Sequence, residues 1–258
     1  LTDWGIEMNF ETIELTIEEH IATLTLSREE SKNALNLKMC LELTQACHAL
    51  NEREQVHVVK INARGNVFCA GADLKERPHM NEQEIVARRV AGFTAYASIE
   101  SLQMPVICVV QGAAFGSGCE IAAACDWIIA SHAAKFKYPE VGWGTVGATQ
   151  RLPRIVGRRM AKELLFMSRT FDAQEALALG LVNHIYELDD LEPQADALAR
   201  HISQCNPLTV RLTKKCIDQG LETSREGAMA IELLAIQENL QKTDWKAAIS
   251  KFSGNNKS

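Results

Sequence analysis

The stretch Pro105-Val-Ile-Cys-Val-Val110-Gln-Gly112-Ala-Ala-Phe-Gly-Ser-Gly118-Cys-Glu120 passes from an unbroken apolar run, through glycines, to an acidic residue. An apolar run without alternation predicts a strand covered on both faces, as in a parallel sheet flanked by helices. Gln111-Gly112 ends the strand, and a helix is expected from about Ser117 to Cys125. The glycine-rich loop between them directs free backbone N–H groups at whatever occupies the helix start. It has no lysine, so it is not a phosphate loop, and its glycine spacing is not a dinucleotide fingerprint.

Outward from this stretch, strands and helices alternate. Upstream, 11–17 and 21–26 read as an antiparallel pair across a Glu18-Glu19 turn. A helix follows from about Asn36, a good N-cap, to about Arg53, with Cys40, Leu43, Cys47 and Leu50 on one face. Residues 56–63 read as a strand, 68–73 as a loop and 81–102 as a polar helix. Downstream, 126–131 and 135–138 are short strands. Beyond Leu152 the pattern is mainly helical, over 160–167, 173–179, 191–204, 208–219, 226–241 and 245–252. The class is α/β, with a core over 8–200 and a helical region over 201–258.

The bulk numbers set limits. A chain of 258 residues can bury a sizeable core. A net charge of −6 argues against a nucleic-acid partner, which needs a basic face. No apolar run approaches the roughly 20 residues of a membrane span, and no signal peptide is visible. The eight cysteines form no Cys-x-x-Cys pair and sit among apolar neighbours, as small buried hydrophobes do in a reducing, cytoplasmic setting. Neither they nor the histidines are spaced as ligands, and no metal is expected.

Two carboxylates stand out, Glu120 at the helix start and Glu140 in Tyr138-Pro-Glu140. A buried carboxylate is costly unless something holds it. Glu120 has a simpler explanation, because Ser117-Gly-Cys-Glu120 fits a capping box. Glu140 equally suits an exposed loop. Ala70-Gly-Ala-Asp73 alone reads as a turn, although its glycine also lets backbone approach a ligand. One N–H from Ala72 and one from the 112–118 loop could together hold a developing oxyanion. The two carboxylates and two glycine turns in combination favour acid/base chemistry on a carbonyl compound.

The chain resembles the enoyl-CoA hydratase (crotonase) family in Ser31-Lys-Asn-Ala-Leu35, Phe68-Cys-Ala-Gly-Ala-Asp-Leu-Lys-Glu76, Pro105 through Asp126, Phe136 through Glu140, Thr149-Gln-Arg-Leu-Pro-Arg154 and Ala173-Gln-Glu-Ala-Leu-Ala-Leu-Gly-Leu-Val182. The likeness runs in order from about Ile13 to about Phe252. It implies a spiral of ββα turns with C-terminal helices supporting a homotrimer or a dimer of trimers. It also implies an acyl-CoA thioester substrate and no separate cofactor, coenzyme A being part of the substrate. The thioester carbonyl would lie between the N–H groups of Ala72 and Ser117, the latter usually glycine in relatives. Glu120 would deprotonate a water adding at Cβ, and Glu140 would deliver a proton to Cα. Backbone at Lys32, Ala70 and Leu74 would line the coenzyme channel. Lys251 either meets its phosphates or is a solvated tail residue.

Two departures qualify the resemblance. Residues 141–148 replace a longer stretch in relatives, and Trp143 either fills acyl space or belongs to the core. Ser250-Lys-Phe-Ser-Gly stands where relatives often carry a charged cluster. The implied reaction is hydration of a trans-2-enoyl-CoA. The alternatives are an isomerase or thioester hydrolase of the same fold, or a non-catalytic acyl-CoA-binding member.

Overall fold

The computed structural model describes residues 9–246. Lys251, and the expected 245–252 helix beyond Lys246, lie outside them. Ten strands and nine α-helices occur among the described residues, in the order β1 (Ile13–Glu18), β2 (Ile21–Leu26), α1 (Leu37–Asn51), β3 (Val58–Ala63), β4 (Val67–Cys69), α2 (Glu82–Glu100), β5 (Val106–Val110), β6 (Ala113–Phe115), α3 (Ser117–Ala123), β7 (Trp127–Ser131), β8 (Lys135–Lys137), α4 (Arg151–Val156), α5 (Arg158–Met167), β9 (Thr170–Asp172), α6 (Ala173–Ala178), β10 (His184–Tyr186), α7 (Leu188–Ser203), α8 (Pro207–Leu221) and α9 (Arg225–Lys242).

The strands form two sheets. One runs β1-β2-β3-β5-β7-β10, antiparallel at β1-β2 and parallel elsewhere. The other runs β4-β6-β8-β9, antiparallel only at β8-β9. Successive strands therefore alternate between sheets: β3 then β4, β5 then β6, β7 then β8, each pair leading into a helix. That is a spiral of ββα turns. A first, shorter turn is present too, since Leu35 makes a parallel bridge to Ala72 between β2 and α1.

The sequence explains the main elements. All five side chains of β5 are buried, and each large apolar one contributes about 1.5–3 kcal/mol relative to exposure. Asn36 caps α1 by accepting from the Met39 N–H at 2.8 Å, and Met39, Cys40, Leu43, Ala46, Cys47 and Leu50 face the core. Asn81 caps α2 in a complete capping box with Glu84.

Several expectations need correction. The β1-β2 turn is Glu19-His20, with Glu19 at φ 53°, one residue later than read. The 68–73 loop starts inside β4, and the 112–118 loop contains β6. The segment beyond Leu152 holds α4, β9 and β10 besides the expected helices. Strands of three residues carry no readable period, and pairing with neighbours alone defines them.

Close backbone approach positions the second sheet. A Cβ on Gly112 would lie 2.0 Å from the Asn66 carbonyl oxygen, and one on Gly118 would lie 2.4 Å from that of Cys69. Glycine at 118 lets α3 rest directly on β4. Asn33 clips the first turn: its buried side chain accepts from the Arg28 N–H and donates to the carbonyls of Arg64 and Val67, at 2.8–2.9 Å.

Compactness divides the chain between Ser203 and Gln204. The second unit is the α8–α9 hairpin. Within it Thr209 donates to Asn239 at 2.6 Å, and a cavity of about 360 Å³ opens between Leu212, Cys216, Ala235 and their neighbours. No helix among the described residues is long and apolar enough to cross a membrane.

Candidate active site

Consecutive turns of the spiral bring the two glycine segments together. Leu35 spends its N–H on Gly71 and receives the N–H of Asp73, at 2.8 and 2.9 Å. In a parallel ladder this turns the N–H of the intervening Ala72 to the opposite side, toward β6. Ser117 is the first residue of α3, so its N–H has no acceptor within the helix. Gly116 supports this entry at φ 48°, where a side chain is disfavoured, and its N–H donates to the Lys137 carbonyl. Gly71, at φ 107°, lies against Phe115, where a Cβ would be 3.1 Å from the carbonyl oxygen.

Ala70, Ala72, Ser117, Glu120 and Glu140 line one cavity of about 80 Å³, closed by α2 and by residues 143–148. Lys32 and Leu74 are not among its lining. Lys32 is exposed at φ 52° and joins the rim through its carbonyl, which accepts the Ala70 N–H at 3.0 Å. Leu74 is exposed and begins a short 3-10 turn capped by Asp73. Trp143 is 59 % exposed and borders the cavity, so it is no core residue.

Glu120 does not cap its helix. The N-cap is Gly116, which makes no side-chain cap bond, and Glu120 sits one residue too late to reach back. Instead Arg151 reaches its Oε2 at 3.3 Å while holding Glu100 at 2.7 Å, leaving Oε1 buried without a partner. Burial raises the Glu120 pKa, Arg151 opposes that shift, and Glu140 adds to it. Glu140 is raised too, by burial, with its own backbone and Arg89 pulling the other way. Its Oε2 is buried and unpartnered. The two orphaned carboxyl oxygens are suited to hold a water or a polar substrate atom.

Around the carboxyls is a shell that sequence reading missed. Tyr96 of α2 lines the cavity with Ser117, and Arg151 stands over its ring at 5.7 Å. Arg88, Arg89, Gly92, Phe93 and Tyr96 share the cavity face of α2 at i, i+4 spacing. That spacing was available in the sequence, but the helix was read only as polar. Arg89 donates to the Val146 carbonyl and the Thr145 hydroxyl, tying α2 to the 141–148 segment. Gly147 completes the fit, because a Cβ there would stand 2.9 Å from Glu140 Cγ. No group of three or more His, Cys, Asp or Glu converges as a metal site among the described residues. All eight cysteines are free.

Comparison with known proteins agrees with this architecture. The family model for enoyl-CoA hydratase/isomerase matches residues 16–258. A crotonyl-CoA hydratase of Syntrophomonas wolfei is 37 % identical over 249 residues, covering 95 % of this chain and 96 % of its own. A short-chain-enoyl-CoA hydratase of Clostridium acetobutylicum is 37 % identical over 249 residues, with 95 % of both chains covered. The crystal structure of an enoyl-CoA hydratase from Bacillus anthracis superposes with a TM-score of 0.92 at 33 % identity, covering 95 % of this chain and 97 % of that one. With its spiral of ββα turns and a match over nearly its whole length, this chain belongs to the enoyl-CoA hydratase/isomerase (crotonase) family.

Proposed function

We propose that the protein adds water across the 2,3 double bond of a trans-2-enoyl-CoA, giving a 3-hydroxyacyl-CoA. The observation that supports this reading is the pair of carboxyls, Glu120 and Glu140, each with an orphaned buried oxygen, both lining one cavity with Ala72 and Ser117. With the thioester carbonyl between Ala72 and Ser117, its oxygen gains two donors as enolate charge develops, and Cβ becomes electrophilic. Glu120 takes a proton from the water whose oxygen bonds to Cβ. Glu140 gives a proton to Cα. Transfer of one proton from Glu120 back to Glu140 restores the starting state, so the net change is addition of H and OH.

The relatives named as crotonyl-CoA and short-chain hydratases support a short acyl group. So does the cavity, since one water needs roughly 10–15 Å³ and about 80 Å³ leaves room for a water and a few carbons. The coenzyme would run past the Ala70 and Lys32 backbones and Leu74 toward the surface. The protein would assemble as a homotrimer or a dimer of trimers. Loss of the conjugated thioester absorbance on mixing pure protein with crotonyl-CoA tests the reaction. Bound coenzyme with no turnover across short and medium chains overturns it.

A further inference from the structure

The arginines around the cavity are unevenly committed. Arg88 is spent on Glu76, at 2.7 Å, and on the Leu35 carbonyl and Cys40. Arg151 is spent on Glu100 and Glu120. Arg89 donates to the neutral oxygens of Val146 and Thr145 and lies within electrostatic reach of Glu140. Arg77 also lines the cavity, partly buried, and its guanidinium makes no hydrogen bond or ion pair among the described residues. Its nearest acid in sequence, Glu76, is committed to Arg88 and to the Leu37 N–H.

We propose that Arg77 docks a carboxylate carried at the far end of the acyl group, so that the preferred substrates are 2-enoyl-CoA esters of dicarboxylic acids. The reaction itself rests on the hydratase reading above. A guanidinium matches a carboxylate in a two-pronged geometry that few other groups satisfy. An uncharged acyl tail would instead leave a partly desolvated cation against carbon, which is costly. Burial and the repulsion of Arg89 and Arg88 already lower the Arg77 pKa, and an arriving anion relieves both effects. The phosphates of coenzyme A are the other anions on such a ligand. The whole pantetheine arm separates them from the thioester, whereas Arg77 borders the same small cavity as Glu120 and Glu140.

The test compares crotonyl-CoA with glutaconyl-CoA, which adds a terminal carboxylate to the same conjugated system. The full-length protein is expected to show the higher kcat/KM for glutaconyl-CoA. Arg77→Gln is expected to lower the ratio of the two values about 10- to 100-fold, the range for a hydrogen bond to a charged group. Arg77→Lys, which keeps charge without the fork, should retain part of the ratio. A ratio that Arg77→Gln leaves unmoved overturns the proposal, as does an equal loss with both esters, which would put Arg77 on the coenzyme. Calorimetric binding of the unreactive pair glutaryl-CoA and butyryl-CoA separates the two readings. Tighter glutaryl-CoA binding that Arg77→Gln erases, with neither enoyl ester hydrated, keeps the carboxylate site and removes the hydratase. Hydration of both enoyl esters with no preference between the saturated pair removes the carboxylate site alone.

Discussion

At Glu140 burial has stripped water from a carboxyl oxygen without supplying a partner, whereas Glu120 keeps Arg151. Both pKa values are raised, so the base limb of kcat/KM should rise, and the acid limb fall, above the range of a free carboxylate. Glu120→Gln and Glu140→Gln are both expected to lower kcat by about 100-fold or more with crotonyl-CoA. Loss confined to Glu140→Gln would instead indicate isomerisation. The sign for stability is opposite. A folded pKa above the unfolded one contributes stability in full below the unfolded value, and that contribution is lost as pH rises through the folded value. Glu140→Gln should therefore melt higher than the parent at pH 8, with the difference shrinking toward pH 4. Both carboxylates were legible in the sequence because glycine turns mark them. Arg77, Arg89 and Tyr96 were not singled out: Arg77 lies in an aperiodic turn before α2, and the i, i+4 face that holds Arg89 and Tyr96 carries too many charges to read as buried.

Among the elements, α2 and α3 carry the site. Asn81→Ala removes the side-chain half of the α2 capping box, leaving the backbone N–H at 81 on Glu84, and should cost about 1 kcal/mol, read as a lower melting temperature. Because one face of α2 lines the cavity, KM for the thioester should rise more than kcat falls. Gly118→Ala is expected to be harsher. Its Cβ meets a backbone oxygen rather than a flexible side chain, so α3 must lift from β4. A cost of about 3 kcal/mol or more, within the range of severe overpacking, is expected in urea unfolding. Long, periodic or capped elements such as α1, α2 and β5 could be placed from sequence. The three-residue strands β4, β6, β8 and β9 build the second sheet, yet only β8 was found. Their identity lies in which partners the spiral lays beside them. The same blindness made Glu120 look like a cap, because Ser-x-x-Glu spacing does not reveal that the helix begins after Gly116.

For the molecule as a whole, the second unit exposes more apolar surface than one chain needs. Ile217, Leu221, Met229, Leu233 and Leu234 are all exposed, Leu221 at 82 %. Patches of this kind favour association. Sedimentation is expected to give a multiple of three of the 28.6 kDa chain mass, with Leu234→Glu shifting it to smaller species. A monomer at micromolar concentration would remove the trimer reading. The α/β class and the helical ending could be read from the chain, whereas the stacking of successive turns could not. That stacking has a consequence for divergence. The two proposed donors are spaced by backbone resting on backbone, through Gly71 at Phe115 and Gly118 at Cys69. The walls that meet the acyl group come from α2 and residues 143–148. Mutation can thus explore new acyl partners through the walls while the polarising apparatus stays fixed, and a lineage on this scaffold can change its diet without reinventing its chemistry.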